Sequence, residues 1–140
     1  MYKIAKKVFL IVVILFSSIC FIYAQNSSDK RERRKNLTIK EWNTNAATKT
    51  RYLDHIDKYD ENGFKIESIE YANYGMKSRI TFEYNEAGKC IKEVEYDGHN
   101  KPIRIRKFEY YPDGSKKRQY NYLPSGKLET TKEFEYIFDK

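Results

Sequence analysis

Ile80-Thr81-Phe82-Glu83-Tyr84-Asn85-Glu86-Ala87-Gly88 alternates apolar and polar side chains over its first five positions and then runs into a polar stretch closed by glycine. A period of two sends alternate side chains to opposite faces of a β-strand, whereas a helix would need apolar residues three and four apart. The polar stretch reads as a turn. Asn braces a turn with its side chain, and Gly supplies positive φ at no steric cost.

The same signal recurs outward from this point. Phe82-Glu83-Tyr84 returns as Phe108-Glu109-Tyr110 and Phe134-Glu135-Tyr136, each 26 residues after the last. Tyr59, Tyr84 and Tyr110 are followed four residues later by Gly63, Gly88 and Gly114. Twelve residues after those tyrosines stand Tyr71, Tyr96 and Tyr122, and four residues further on stand Gly75, Asn100 and Gly126. Asn in a glycine's place points to a required backbone shape, because Asn is among the residues that best tolerate positive φ. The pattern predicts three tandem units starting near Tyr59, Tyr84 and Tyr110.

Glu67-Ile69-Tyr71 and Lys92-Val94-Tyr96 show the same skip-one spacing. The fold expected is all-β: an open, twisted antiparallel meander of tandem β-hairpins with about eight strands and one buried face. The strands are expected near Leu37–Asn43, Thr50–Tyr59, Phe64–Ala72, Lys77–Tyr84, Lys89–Tyr96, Ile103–Tyr110, Lys116–Tyr122 and Lys127–Phe138. The first two read as a degenerate half-unit that caps the array. Gly75 to Tyr84 spans nine residues, while Asn100 to Tyr110 and Gly126 to Tyr136 span ten, so the extra residue predicts a bulge or a longer turn.

The beginning of the chain sets the compartment. Lys3, Lys6 and Lys7 precede the apolar run Val8–Phe16, and the stretch ends in Ile22-Tyr23-Ala24 before Gln25. This is the layout of a secretory signal over residues 1–24, with Gln25 as the new N-terminus. An uncleaved anchor is the alternative, and Cys20 raises a lipoprotein reading that Ile19 fits poorly. Residues 1–24 hold three lysines and no acid, so the remainder carries 24 basic and 20 acidic residues, a net +4. That mild charge and the expected export disfavour a nucleic-acid partner. Cys90 is the one cysteine after residue 24, so no internal disulfide is available to that part of the chain. Gln25–Asn36 has no apolar residue and predicts a flexible basic linker, leaving residues 37–140 as one β-repeat domain.

Tyr59-Asp60-Glu61-Asn62-Gly63, Tyr84-Asn85-Glu86-Ala87-Gly88 and Tyr96-Asp97-Gly98 resemble the YD (tyrosine–aspartate) repeat of the RHS family. The likeness covers about residues 50–138 and is similar to the short secreted YD-repeat proteins common in Bacteroidota. It implies antiparallel β-hairpin arrays at the bacterial cell envelope and, for many members, carbohydrate binding. The Gly-Arg pair of the fuller RHS pattern is missing, the period is longer, and no catalytic residue carries over. A weaker resemblance is to MORN-like repeats.

Chemistry is sparse. His55 and Asp57, two apart on a strand, should face the same way, but no further His or Cys lies at metal-ligand spacing. Glu83, Glu109 and Glu135 recur with the unit, which predicts cross-strand pairing with Lys and Arg rather than acid–base work. There is no phosphate loop, nucleophile elbow or zinc motif, and the pattern implies no cofactor and no metal. The sequence predicts an exported, non-catalytic module that binds glycan or envelope protein, or a structural subunit that oligomerises through its sheet edges. Tyr74, Tyr111 and Tyr120 depart from the repeat and are the candidate binding aromatics, with Arg104 and Arg106 as basic neighbours.

Overall fold

The computed structural model describes residues 29–138. The expected leader, its cut before Gln25 and the first part of the basic segment lie outside the described residues. Eight strands follow in chain order: β1 (Thr38–Thr44), β2 (Arg51–Tyr59), β3 (Lys65–Ala72), β4 (Gly75–Tyr84), β5 (Cys90–Asp97), β6 (Pro102–Tyr110), β7 (Lys116–Tyr122) and β8 (Leu128–Glu133). They form one antiparallel sheet in the order β1-β2-β3-β4-β5-β6-β7-β8, an open meander. Each strand touches only its sequence neighbours, so the sheet neither closes nor folds back on itself.

The expectation of one buried face is not met. Among the described residues no second layer covers either side, and no side chain is fully buried. Ile56, Tyr59, Ile69 and Phe108 are the best-covered apolar residues, with Phe108 at 7% exposure. The alternation itself is intact. Register places Phe82 and Phe108 on one face, and the exposed Glu83 and Glu109 on the other. The face that holds the phenylalanines also carries Glu93, Glu95, Arg104 and Arg106, so it is mixed rather than apolar.

The turns explain the repeat. Gly63, Gly88, Gly114 and Gly126 have φ of 77°, 73°, 86° and 84°, and Asn100 has 63°. In each, the amide of that residue donates to the carbonyl three residues back, for example Gly88 to Asn85 at 2.8 Å. This is a type I turn followed by a left-handed residue, the usual three-residue hairpin loop. The Asp60 carboxylate accepts from the amides of Asn62 and Phe64, both at 2.9 Å, and Asp97 does the same for His99 and Lys101. The shorter unit is explained by a shorter turn. Ala72 pairs directly with Gly75 across Asn73-Tyr74, whereas Tyr96 and Tyr122 pair with Pro102 and Leu128 across longer loops.

Every hairpin also carries one bulge. Tyr59, Tyr84 and Tyr110 face Lys65, Cys90 and Lys116, and the next residue of each following strand is skipped. Lys65, Cys90 and Lys116 therefore fall short of the first rungs toward β4, β6 and β8. A carbonyl left off the ladder needs another donor. The Tyr84 hydroxyl donates to Lys65 O at 2.9 Å, Tyr110 to Cys90 O at 2.6 Å and Tyr136 to Lys116 O at 3.0 Å. The repeat tyrosine is thus a tie across the point that the bulge disrupts.

The segment expected to be a flexible tether is folded where it is described. Asp29–Glu32 forms one helical turn, and the Asn36 amide donates to Asp60 O at 2.8 Å. Arg31 lies 5.4 Å over the Phe64 ring, and Arg34 lies 5.1 Å over Tyr59. Apolar side chains are absent, but guanidinium groups stacked on the rings of Phe64 and Tyr59 supply the contact that composition alone does not reveal.

Candidate functional site

At the end of the sheet that holds Gly63, Gly88 and Gly114, the residue after one turn glycine lies over the next turn of the row. A Cβ on Gly88 would stand 3.1 Å from Phe64, and one on Gly114 would stand 2.7 Å from Lys89 Nζ. A Cβ on Gly63 would meet Arg31 O at 2.1 Å, so the N-terminal segment takes the place ahead of Phe64 in the same row. Phe64 in turn stacks on Tyr84, with ring centroids 4.8 Å apart. Between the N-terminal segment and the first turns lies an open concavity lined by Arg31, Lys35, Phe64, Ile66, Phe82 and Tyr84.

The centre of the sheet is occupied by ion pairs. Arg106 reaches Glu95 at 2.6 Å and Glu93 at 3.3 Å, and Arg104 lies 3.5 Å from Glu95. On the opposite face Glu67 lies between Lys58 at 2.5 Å and Arg79 at 2.9 Å. Burial works against the Glu67 charge, but the bonds from Lys58 and Arg79 outweigh it and hold the carboxyl below the usual range. Glu83 pairs with Lys92 at 2.6 Å, as its recurrence predicts.

His55 and Asp57 do face the same way, with His55 Nε2 2.8 Å from Asp57 Oδ1. Ser68 joins them, its hydroxyl donating to Asp57 at 2.7 Å and lying 3.0 Å from His55 Nε2. Lys65 pairs with the other carboxylate oxygen. Burial again opposes the charge, and the Lys65, Ser68 and His55 bonds overcome it, so Asp57 is held low. Three residue types of a hydrolytic triad are present, but not its relay. The serine proton is committed to the carboxylate, and the same imidazole nitrogen faces both partners. No group of three metal-ligating side chains occurs among the described residues.

The five candidate residues are not brought together. Tyr74, 80% exposed, is on the β3–β4 turn, at the end of the sheet opposite Tyr111 on the β6–β7 turn. Arg104 and Arg106 are on the face shared with Phe108, already engaged by Glu93 and Glu95. Tyr120 is on the other face, half-buried, and donates to Glu109 at 3.0 Å. Tyr111 alone belongs to an exposed apolar cluster. Its ring meets Tyr136 edge-on at 6.4 Å, and its hydroxyl donates to Phe134 O at 3.3 Å. Ile137 and Phe138 stand beside them at 80% and 87% exposure.

Sequence reasoning assigned Lys127–Phe138 to one strand and so missed this corner. Phe134 N still bonds Lys117 O at 3.1 Å, but the ladder proper ends at Glu133. All six residues of β8 are exposed, and among the described residues no strand neighbours its outer edge.

No family model matches the chain, and no curated protein matches it. Among solved structures, a mutant of S. aureus TarM in complex with fondaparinux, alpha-GlcNAc-glycerol and UDP aligns at 21% identity and a TM-score of 0.33. That alignment takes in 77% of this chain and 23% of the other, so the chain spans about a quarter of that protein's length. The class defined here is that of an open, single-layer β-hairpin repeat. No helix among the described residues is long and apolar enough to cross a membrane.

Proposed function

We propose that the protein is an exported, non-catalytic module that binds a protein partner at its β8 edge and the aromatic corner beside it. The observation that carries this reading is contiguity. Tyr111 meets Tyr136, the exposed Ile137 and Phe138 follow Tyr136 in the chain, and β8 beside them has no strand on its outer edge among the described residues. An open edge is a template for an incoming strand, and an adjacent apolar patch adds side-chain contact to the main-chain hydrogen bonds. The leader pattern of residues 1–24 supports export, and the resemblance to secreted YD-repeat proteins supports a bacterial envelope setting.

A polypeptide is favoured over a glycan because most repeat rings already have a face covered by a cation. Arg79 stands 3.9 Å over Tyr96, Lys89 5.8 Å over Tyr110 and Lys107 5.4 Å over Tyr122. Sugar rings need an open aromatic face, and few remain.

The test is site-specific photo-cross-linking in the exporting cell, with the reactive group at position 131 on β8, position 137 at the corner, or position 81 in the central β4. Cross-links to polypeptide at 131 and 137 but not at 81 are expected. A glycan adduct, or equal labelling at 81, would refute the assignment. Turnover of an envelope glycan by the purified chain would refute the non-catalytic reading.

A further inference from the structure

Phe134-Glu135-Tyr136 repeats Phe82-Glu83-Tyr84, and inside the chain that tripeptide has a defined neighbour. Across β4 and β5, Glu83 faces Lys92, Phe82 faces Glu93 and Tyr84 faces Cys90, with Ile91 bulged. The same rung carries opposite charges at the other two junctions, where Lys58 faces Glu67 and Glu109 faces Arg118. Glu135 occupies that position after β8 and, among the described residues, faces no strand.

The missing strand has a counterpart at the other edge. Ile39-Lys40-Glu41 on β1 repeats Ile91-Lys92-Glu93, the segment that β4 receives. Among the described residues neither Lys40 nor Glu135 has an ion-pair partner within 4.0 Å. Among the described residues no strand pairs with the outer edge of β1, and the N-terminal helical turn lies over the β2–β3 and β4–β5 turns instead. β1 and β8 lie at opposite edges and do not touch, so a chain cannot supply its own missing strand.

We propose that the occupant of the β8 edge is β1 of a second copy, antiparallel, with Lys40 facing Glu135 and Glu41 facing Phe134. The added strand carries the β8 ladder on through Tyr136, and the sheet continues head to tail. This rests on the protein-binding reading above and names its partner. Two like edges fit worse: β8 paired with itself about Thr131 sets Glu129 against Glu133, and β1 paired about Lys40 sets lysine against lysine. A heterologous contact of this kind leaves a free edge at each end and propagates as an open series.

Sedimentation velocity on the full chain after leader removal, over a concentration series, tests the proposal. The expected result is a concentration-dependent series of oligomers. Lys40→Glu and Glu135→Lys should each weaken association about tenfold, with unchanged melting, because each replaces an opposed charge pair by a like one. An equimolar mixture of the two variants should associate again, since every junction then has opposite charges. A wild-type monomer throughout the series overturns the proposal, as does association of either variant at the wild-type level or a mixture that stays apart. A partner lost on combined Tyr111→Ser and Ile137→Ser but kept in Lys40→Glu leaves the β8 reading standing with a different occupant. A partner kept in both removes that reading as well.

Discussion

Gly63 and Gly126 offer a matched pair of perturbations. Both close the same type of turn, with φ of 77° and 84°. They differ in what lies above them. A Cβ on Gly126 would meet nothing within 4 Å, whereas one on Gly63 would stand 2.1 Å from the backbone oxygen of Arg31. Alanine at either position carries the left-handed penalty of about 1–2 kcal/mol for an L-residue. At Gly63 the N-terminal segment must also lift. That loses the stacks of Arg31 on Phe64 and Arg34 on Tyr59, about 0.5–1 kcal/mol each at exposed sites. Gly63→Ala should therefore cost about 1–2 kcal/mol more than Gly126→Ala. Urea unfolding of the two variants, at unchanged m, reads the difference. The excess should vanish in a chain that starts at Asn36, because the segment it depends on is gone. Equal costs in the longer chain would refute the docking of residues 29–35 and return them to the flexible linker that composition predicts.

Tyr110→Phe removes the tie to Cys90 O and should cost about 0.5–1.5 kcal/mol in the same assay, and Tyr136→Phe less, because its ring is 48% exposed. Burial pushes the Tyr84 hydroxyl up to about 12 from an ordinary 10.0, so its contribution is intact below pH 10 and lost as pH rises through 12; Tyr84→Phe should flatten that alkaline limb. Asp57 and Glu67 are shifted the other way, so their contribution holds above the ordinary carboxylate range and is lost as pH falls through their lowered values; Asp57→Asn should flatten the acid limb of a melting-temperature series. Phe108→Ala should cost about 2–3 kcal/mol, near the transfer value, because water can fill the vacated space on a one-layer sheet, and Glu109→Ala under about 0.5 kcal/mol. Equal losses at 108 and 109 would show the face assignment to be wrong.

The strand order and turn chemistry were legible because they are local. Alternation in Ile80–Tyr84 sets the strand, and Gly88 after Asn85 sets the turn, without reference to anything distant. Asn100 at φ 63° is the clearest case, since its identity announces the backbone shape it adopts. The covering of the faces was not legible. Period-two alternation says which side chains share a face, not whether another layer lies over it, and Glu93 with Arg106 on the phenylalanine face has no apolar signature. The role of the tyrosines was half legible. Their spacing marked them as structural, but the hydroxyl's acceptor depends on where the bulge frees a carbonyl. The N-terminal segment was misjudged because hydropathy gives arginine no credit for stacking, and Arg31 and Arg34 dock by that contact. The aromatic corner is hidden by its likeness to the repeat, since Phe134-Glu135-Tyr136 reads as one more strand end.

Three devices recur along the array, and the two ends treat them differently. Gly88 and Gly114 are overlain by the residue after the preceding turn glycine at the same end of the sheet, the bulges that follow the β2–β3, β4–β5 and β6–β7 turns are each tied by a tyrosine, and each even-to-odd junction carries opposed charges. At the N-terminal end the first device is completed from within, because Arg31 covers Gly63 as Phe64 covers Gly88. Beside β8 the second is completed, with Tyr136 bonded to Lys116 O, but the third is not, because among the described residues no strand pairs with the outer edge of β8. Glu135 stands exposed next to Tyr136, beside the open edge of β8. The same residues become an asset once a strand with lysine at the facing position arrives, and the β1 edge of another copy presents that lysine.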